Sequence, residues 1–364
     1  DGYGPGTFVD KAFTPLLLEC TRLLEYLASI TPGFTKVQKV LNSVKFEGDD
    51  YPSIPGSVKS VALTAVLHAM AGIVGQEISE MKGQKTGQIT VNTDQVGLWL
   101  ETPMLVFVNG KGAAELIKSG EIASILPITD KGIFDSPLRY RGWAMYQTKT
   151  PNTWYQIHTS LTPAPVFKAL GIDPDAPGIK TKDQAYAHIQ DVIRKYTARE
   201  LEMIHREIGA CGVTCYTPRT WKETSMGQSL ARHPLINYEK QNYVPETPPV
   251  PFSTSNDKRP LAGVKVVGLA RVIAAPALCA GLAAFGADVV RVMSPHMPDV
   301  SVLQCSLTVG KRECSLDLNV EGDRAQLHKL LEGADVIIQR ETWSAQSLST
   351  LLEAAMPIRS CQPL

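Results

Sequence analysis

Between Arg259 and Gln339 the sequence alternates between two rhythms, and this limits the fold more than any other feature of the chain. Val264 to Leu269 is an apolar, largely β-branched run, the composition of a strand buried on both faces. A short loop carrying Arg271 follows. Pro276 stands where a first helical turn tolerates proline, and Gly286 where a helix ends. Asp288 to Val292 reads as a second strand and Cys314 to Leu318 as a third. Gly322 to Leu331 has helical spacing and stops at Gly333, and Val336 to Ile338 is a fourth strand. Strands alternating with helices of this length predict parallel βαβ units. The carboxyl ends of such strands face a ligand crevice.

At 364 residues the chain is long enough for a large core and two domains. Its 36 basic and 36 acidic side chains cancel, which gives no general attraction to nucleic acid or to an anionic membrane. No apolar run reads as long enough to span a bilayer, and no secretory signal is visible. The chain starts at Asp1 rather than Met, which leaves room for a processed leader. Its seven cysteines are scattered, and Cys211 and Cys215 lack a second pair at zinc spacing. Reduced structural thiols in an intracellular protein are expected, with no metal site.

The block Arg259 to Pro276 reads RPLAGVKVVGLARVIAAP, and FGADVVRVM follows it. Further on come GKRECSLDL, starting at Gly310, and ADVIIQ, starting at Ala334. These blocks, in this order and spacing, resemble the family III CoA-transferases of CaiB/BaiF type, which include the α-methylacyl-CoA racemases. Their opening looks like PLAGVRVLDLTRVLAGP, then LGADVIKVE, GKRSVxLDL and ADVxxE. The likeness implies an α/β fold: a Rossmann-like large domain with a parallel sheet, plus a small α+β domain. It also implies CoA or acyl-CoA as substrate, a small-molecule acyl partner and a homodimer, with no nucleic acid or membrane partner. A cytoplasmic location is expected, with peroxisome and mitochondrion left open.

The segment before this block resembles the same family from its middle. Phe8, Phe13, Leu16, Leu17, Leu18, Leu23, Leu24 and Leu27 have helical spacing, and Thr31-Pro32-Gly33 breaks it. Phe34 to Val44 reads as a second helix. An acidic loop covers Glu47 to Pro52. Ser57 is expected to cap a small-residue helix running to about Lys82, and Gly87 to Leu100 to be extended. VLHAMAGIVGQEISEMKGQKTGQITVNTD is similar to the family's GxxxAxxGILAAL helix running into TGRGQ. Residues 139–171 resemble the family's small domain. Gln184 to Gly209 is amphipathic, Cys211 to Cys215 with Thr220 to Glu223 resembles the strand and helix that close that domain, and His233 to Ile236 its HPLI-like turn. The family's middle thus comes first and its opening last, which implies a circular permutation or a fragment of a doubled relative of the long fungal type. The expected parts are a helical and strand part of the large domain over 1–134 and the small domain over 135–225. A proline-rich linker over 226–260, the CoA-binding unit over 261–341 and a tail over 342–364 complete them.

Family transferases form acyl intermediates on an aspartate at the start of the small-residue helix, a role suited to a carboxylate that attacks a thioester and leaves readily. In this chain the matching window, Ser57 to Leu63, holds no carboxylate. Asp50, in the acidic loop upstream, is the displaced candidate; its bland alternative is capping and solubility. His158, at the end of a small-domain strand, is the candidate proton shuttle, against a hydrogen-bonded structural histidine. For the ligand, the resemblance implies Arg271 with Ala274, Ala275 and Pro276. An arginine beside a helix N-terminus holds phosphate, and small residues admit a pantetheine or adenine. Lys311 and Arg312 are candidates for the nucleotide phosphates, against a solvated basic turn. His68 in the alanine-rich helix reads as packed. The expected function is acyl-CoA or acyl thioester processing. A racemase-like or cyclase-like isomerase of fungal specialised metabolism, and a non-catalytic binding protein or subunit needing a partner, are the alternatives.

Overall fold

The computed structural model describes residues 14–54, 56, 58–102, 105–126, 129, 136–234, 236 and 256–339. The readings placed on Phe8, Phe13, Ser57, most of the proline-rich linker and the tail over 342–364 lie outside them. Two compact units are present. The larger comprises Val9–Ile122, Ala231–Met297 and Val302–Leu364; the smaller is built chiefly from Ala123–Leu230.

The larger unit opens with α1 (Leu16–Ile30), α2 (Val37–Ser43), β1 (Val44–Glu47) and α3 (Ser60–Met81). It continues through β2 (Ile89–Asn92), α4 (Thr93–Leu100), the short pair β3 (Phe107–Val108) and β4 (Lys111–Gly112), and α5 (Ala113–Ser119). β1 and β2 pair in parallel, with Val44 opposite Ile89, and α3 crosses between them. Cys20, Leu24, Val40, Val61, Ala65, Val66, Ala69 and Ile73 form the core of this part. Two expectations change here. The second helix stops at Ser43, because Val44 and Phe46 start β1. The extended reading of Gly87 to Leu100 ends at Asn92, whose side chain accepts the Gln95 N–H at 2.9 Å and starts α4.

α3 also corrects the reading that no run is long enough to cross a bilayer. By length and composition it is, at 22 residues with a mean hydropathy of 1.5 over its best window, and 44% of that window is buried inside the unit.

The smaller unit follows α6 (Ile122–Ile125) with α7 (Pro137–Arg141), β5 (Met145–Gln147), β6 (Trp154–Gln156), α8 (Ala164–Leu170), α9 (Lys182–Ile193), α10 (Ala198–Glu207), β7 (Val213–Thr214), α11 (Pro218–Glu223) and α12 (Ser225–Leu230). β5, β6 and β7 form an antiparallel sheet. Tyr146, Tyr155, Ile157, Phe167, Ile189, Ile193 and Leu201 fill its core. The amphipathic stretch from Gln184 to Gly209 is two helices. Thr197 accepts from the Glu200 N–H while Glu200 accepts from the Thr197 N–H, a reciprocal cap that starts α10 afresh.

The chain then forms β8 (Lys265–Leu269), α13 (Ala274–Ala284), β9 (Asp288–Met293), α14 (Ser301–Leu307), β10 (Lys311–Ser315), α15 (Glu321–Glu332) and β11 (Val336–Gln339). The sheet is wholly parallel, in the order β10-β9-β8-β11. Alternation along β8 fixes the layers. Val266 packs with Ala275, Cys279 and Ala283 of α13, while Val267 and Leu269 pack with Leu327 and Leu331 of α15. Each such buried valine or leucine contributes about 1.5–3 kcal/mol. Gly268 lets α13 lie close, since a Cβ there would come within 2.8 Å of Cys279 Sγ. Gly286, at φ 105°, donates to the Ala283 carbonyl and ends α13, as its place in the sequence predicts. The third strand begins earlier than expected, at Lys311. Arg312 and Glu313 bind Asp288 and Arg291 of β9 and set the register, while Leu316 and Leu318 pack past the strand's end.

Candidate functional site

The sheet order defines where a ligand sits. From β8 the chain winds outward to β9 and β10, then returns to β11 on the other side of β8. The reversal lies between β8 and β11, and in open α/β sheets the crevice at the carboxyl ends beside such a reversal takes the ligand. β8 ends at Leu269 and β11 at Gln339, their registered partner. The turn that leaves β8 there is Ala270-Arg271-Val272-Ile273, and it enters α13 at Ala274. The structure therefore brings Arg271, Ala274, Ala275 and Pro276 to the switch point together. Arg271 is half-buried, Ala274 is exposed at the helix start, Ala275 packs with Val266 of the sheet, and Pro276 is buried.

Lys311 starts β10 at the amino end of the sheet, opposite Val289 of β9, and reaches under α13. Its ammonium donates to the Pro276 carbonyl at 3.0 Å, and burial lowers its pKa from the ordinary lysine value. It is a half-buried lysine tied to the first turn of α13, not a solvated basic turn. Arg312 differs. Its guanidinium donates to both carboxylate oxygens of Asp288, at 2.6 and 2.5 Å, and stands largely in solvent. The structure commits Arg312 to pinning β10 on β9. Adjacent residues of a strand point to opposite faces, which is why Lys311 and Arg312 part company.

The catalytic candidates stand on other elements. Asp50 is exposed in the larger unit, and its backbone carbonyl accepts the Leu16 N–H at 2.8 Å at the start of α1. His158 belongs to the smaller unit, two residues past β6. Its Nδ1 accepts the Ser160 N–H at 3.1 Å, its ring stacks on Trp143 with centroids 5.8 Å apart, and burial lowers its pKa. The lowered pKa favours the neutral imidazole, the form a base requires. His68 is exposed and edge-on to Trp99, its Nδ1 2.8 Å from the Thr64 carbonyl, rather than packed in the core.

Sequence reasoning missed two polar clusters. Beyond the ends of β9 and β10, His296 Nε2 lies 3.0 Å from Asp317 Oδ2. The Asn319 backbone N–H, then His296, hold the Asp317 pKa below the usual carboxylate range. The signal was present, since Asp317 is the aspartate of GKRECSLDL. The second cluster surrounds Glu19, nearly buried on α1. Glu19 takes a bidentate pair from Arg22, at 2.6 and 2.9 Å, and a third contact from Lys59 at 2.8 Å. Arg22 first, then Lys59, hold its pKa at about 2 against the cost of burial. Lys59 is the N-cap residue of α3, so the carboxylate beside the start of that helix is a paired structural anion. Among the described residues no group of three His, Cys, Asp or Glu is placed to hold a metal ion.

A parallel sheet with Arg271 and a small-residue helix at its switch point defines a protein of the α/β class. Comparison with known proteins narrows the class. Residues 261–355 match the model of CoA-transferase family III. An "Acyl-CoA transferase" of Gibberella moniliformis (strain M3125 / FGSC 7600) is 46% identical over 341 residues, which is 93% of this chain and 59% of that protein. "Acetyl-coenzyme A transferase nodX" of Hypoxylon pulicicidum is 30% identical over 321 residues, 86% of this chain and 54% of that one. A CAIB/BAIF family protein from Brucella suis aligns in structure with a TM-score of 0.22 and 28% identity, covering 26% of this chain and 28% of that chain. The chain is thus a relative of the CoA-transferase family III proteins, and residues 261–355 carry that family's unit. It spans a little over half the length of the curated relatives it matches.

Proposed function

We propose that this chain binds the CoA moiety of an acyl-CoA at the β8–β11 switch point and serves acyl-CoA transfer. The observation that carries the reading is the place of Arg271 and the α13 N-terminus together at the carboxyl end of β8, beside β11. The guanidinium and the helix amides suit phosphate oxygens. Ala274, exposed at the helix start, carries no bulk to block a pantetheine arm. The names of the two curated relatives support transfer from acyl-CoA as the reaction class.

The acyl-carrying carboxylate is not supplied by the start of α3. Residues 58–63 contain none, and Glu19 beside them is locked by two cations. The role of this chain in transfer is therefore to hold the CoA thioester. His158 remains the candidate proton-transfer group, on its neutral form and its position after β6. Calorimetric titration with CoA tests the reading. Arg271→Ala is expected to weaken binding at least tenfold, about 1.4 kcal/mol, without a fall in melting temperature. Unchanged affinity overturns the assignment.

A further inference from the structure

The turn between β8 and α13 contains a backbone conformation its residue type resists. Among the described non-glycine residues, Asn109, Asn152, Ser160 and Val272 have positive φ. Asparagine visits the left-handed region readily, and a small serine is not β-branched. Val272, at φ 66°, is the β-branched residue of the group. A glycine would take the same φ at no steric cost.

The surroundings impose this geometry from both sides. Upstream, Leu269 and Ala270 are buried at the end of β8. Downstream, Ala275 and Cys279 are packed on the sheet, Pro276 is buried, and its carbonyl holds Lys311. Arg271, Val272 and Ile273 must turn the chain from strand to helix between these fixed points, and the left-handed residue makes the turn. Strain held in place by an over-determined scaffold concentrates at functional sites, where it pre-sets a geometry.

We propose that Val272 is a positioning residue, whose strained left-handed turn fixes Arg271 and the first turn of α13 in their ligand-bound arrangement before the ligand arrives. This rests on the reading that the crevice takes CoA. The buried residues on both sides hold the turn, and a β-branched side chain, which has fewer backbone states than glycine, adds little freedom to be lost on binding. Glycine at the same place relieves the strain and restores that freedom, which binding must then remove.

Stability and affinity therefore move in opposite directions on Val272→Gly. The melting temperature is expected to stay at the wild-type value or rise by about 1–2 °C. The affinity for CoA is expected to fall at least fivefold, with the loss in binding entropy. Val272→Ile, equally β-branched, is expected to bind like wild type. Calorimetric titration of the intact chain and both variants with CoA, with thermal melts alongside, reads all three. A loss of less than fivefold in Val272→Gly, or a fall in its melting temperature together with affinity, overturns the positioning role and leaves the CoA reading intact. Failure of the wild-type chain to bind CoA overturns both.

Discussion

Replacing Glu19 by Gln tests the electrostatics of the larger unit at its best-defined point. In the folded chain its carboxyl titrates at about 2, against an ordinary value of 4.5, so the ionised form is favoured by roughly 3 kcal/mol at 1.36 kcal/mol per pKa unit. That figure is an upper bound. The Arg22 and Lys59 side chains are 60% and 54% exposed, and water screens their charges. A loss of about 1–2 kcal/mol at pH 7 is the working value. Because the folded pKa is depressed, the contribution is complete above about pH 4.5 and disappears as pH falls through about 2. Urea unfolding of the wild-type and Glu19→Gln chains at pH 7 and pH 3, followed by tryptophan fluorescence, reads the gap in stability. The gap is expected at pH 7 and should shrink to about half or less at pH 3. An absent gap at pH 7, or one of equal size at both pH values, refutes the reasoning.

Two further substitutions probe the larger unit. Alanine at Gly75 of α3 puts a Cβ 2.6 Å from the Phe285 ring, whereas at Gly281 of α13 it meets nothing within 4 Å. Urea midpoints should therefore move in opposite directions, with Gly281→Ala gaining about 0.5–1 kcal/mol and Gly75→Ala losing about 1 kcal/mol or more. Arg312→Gln is expected to leave CoA affinity within about twofold, because its guanidinium is committed to Asp288; a tenfold loss in calorimetry would return Arg312 to the phosphate site.

The parallel sheet was legible because its two central strands, β8 and β9, are largely buried. Val264 to Leu269 and Asp288 to Val292 carry near-continuous apolar runs that helices do not need. Gly286 and Gly333 marked helix ends for the same local reason. The third strand was misplaced because it starts with charged residues. Lys311, Arg312 and Glu313 are strand residues through partners on α13 and β9, which no window of sequence displays. α4 was hidden by its apolar residues, and its true signal was the cap at Asn92. At the site, Arg271 and the small residues of α13 were readable from motif and spacing. The separate fates of Lys311 and Arg312, the left-handed Val272 and the His296–Asp317 pair were not, because each depends on a strand face, a dihedral angle or a contact between loops.

The most direct test of CoA binding at the switch point is a crystal structure of the chain grown with CoA. The account predicts CoA phosphate oxygens in contact with Arg271 and the amides of the first turn of α13, at the carboxyl ends of β8 and β11. CoA seated away from that corner, with Arg271 making no contact to it, would contradict the account.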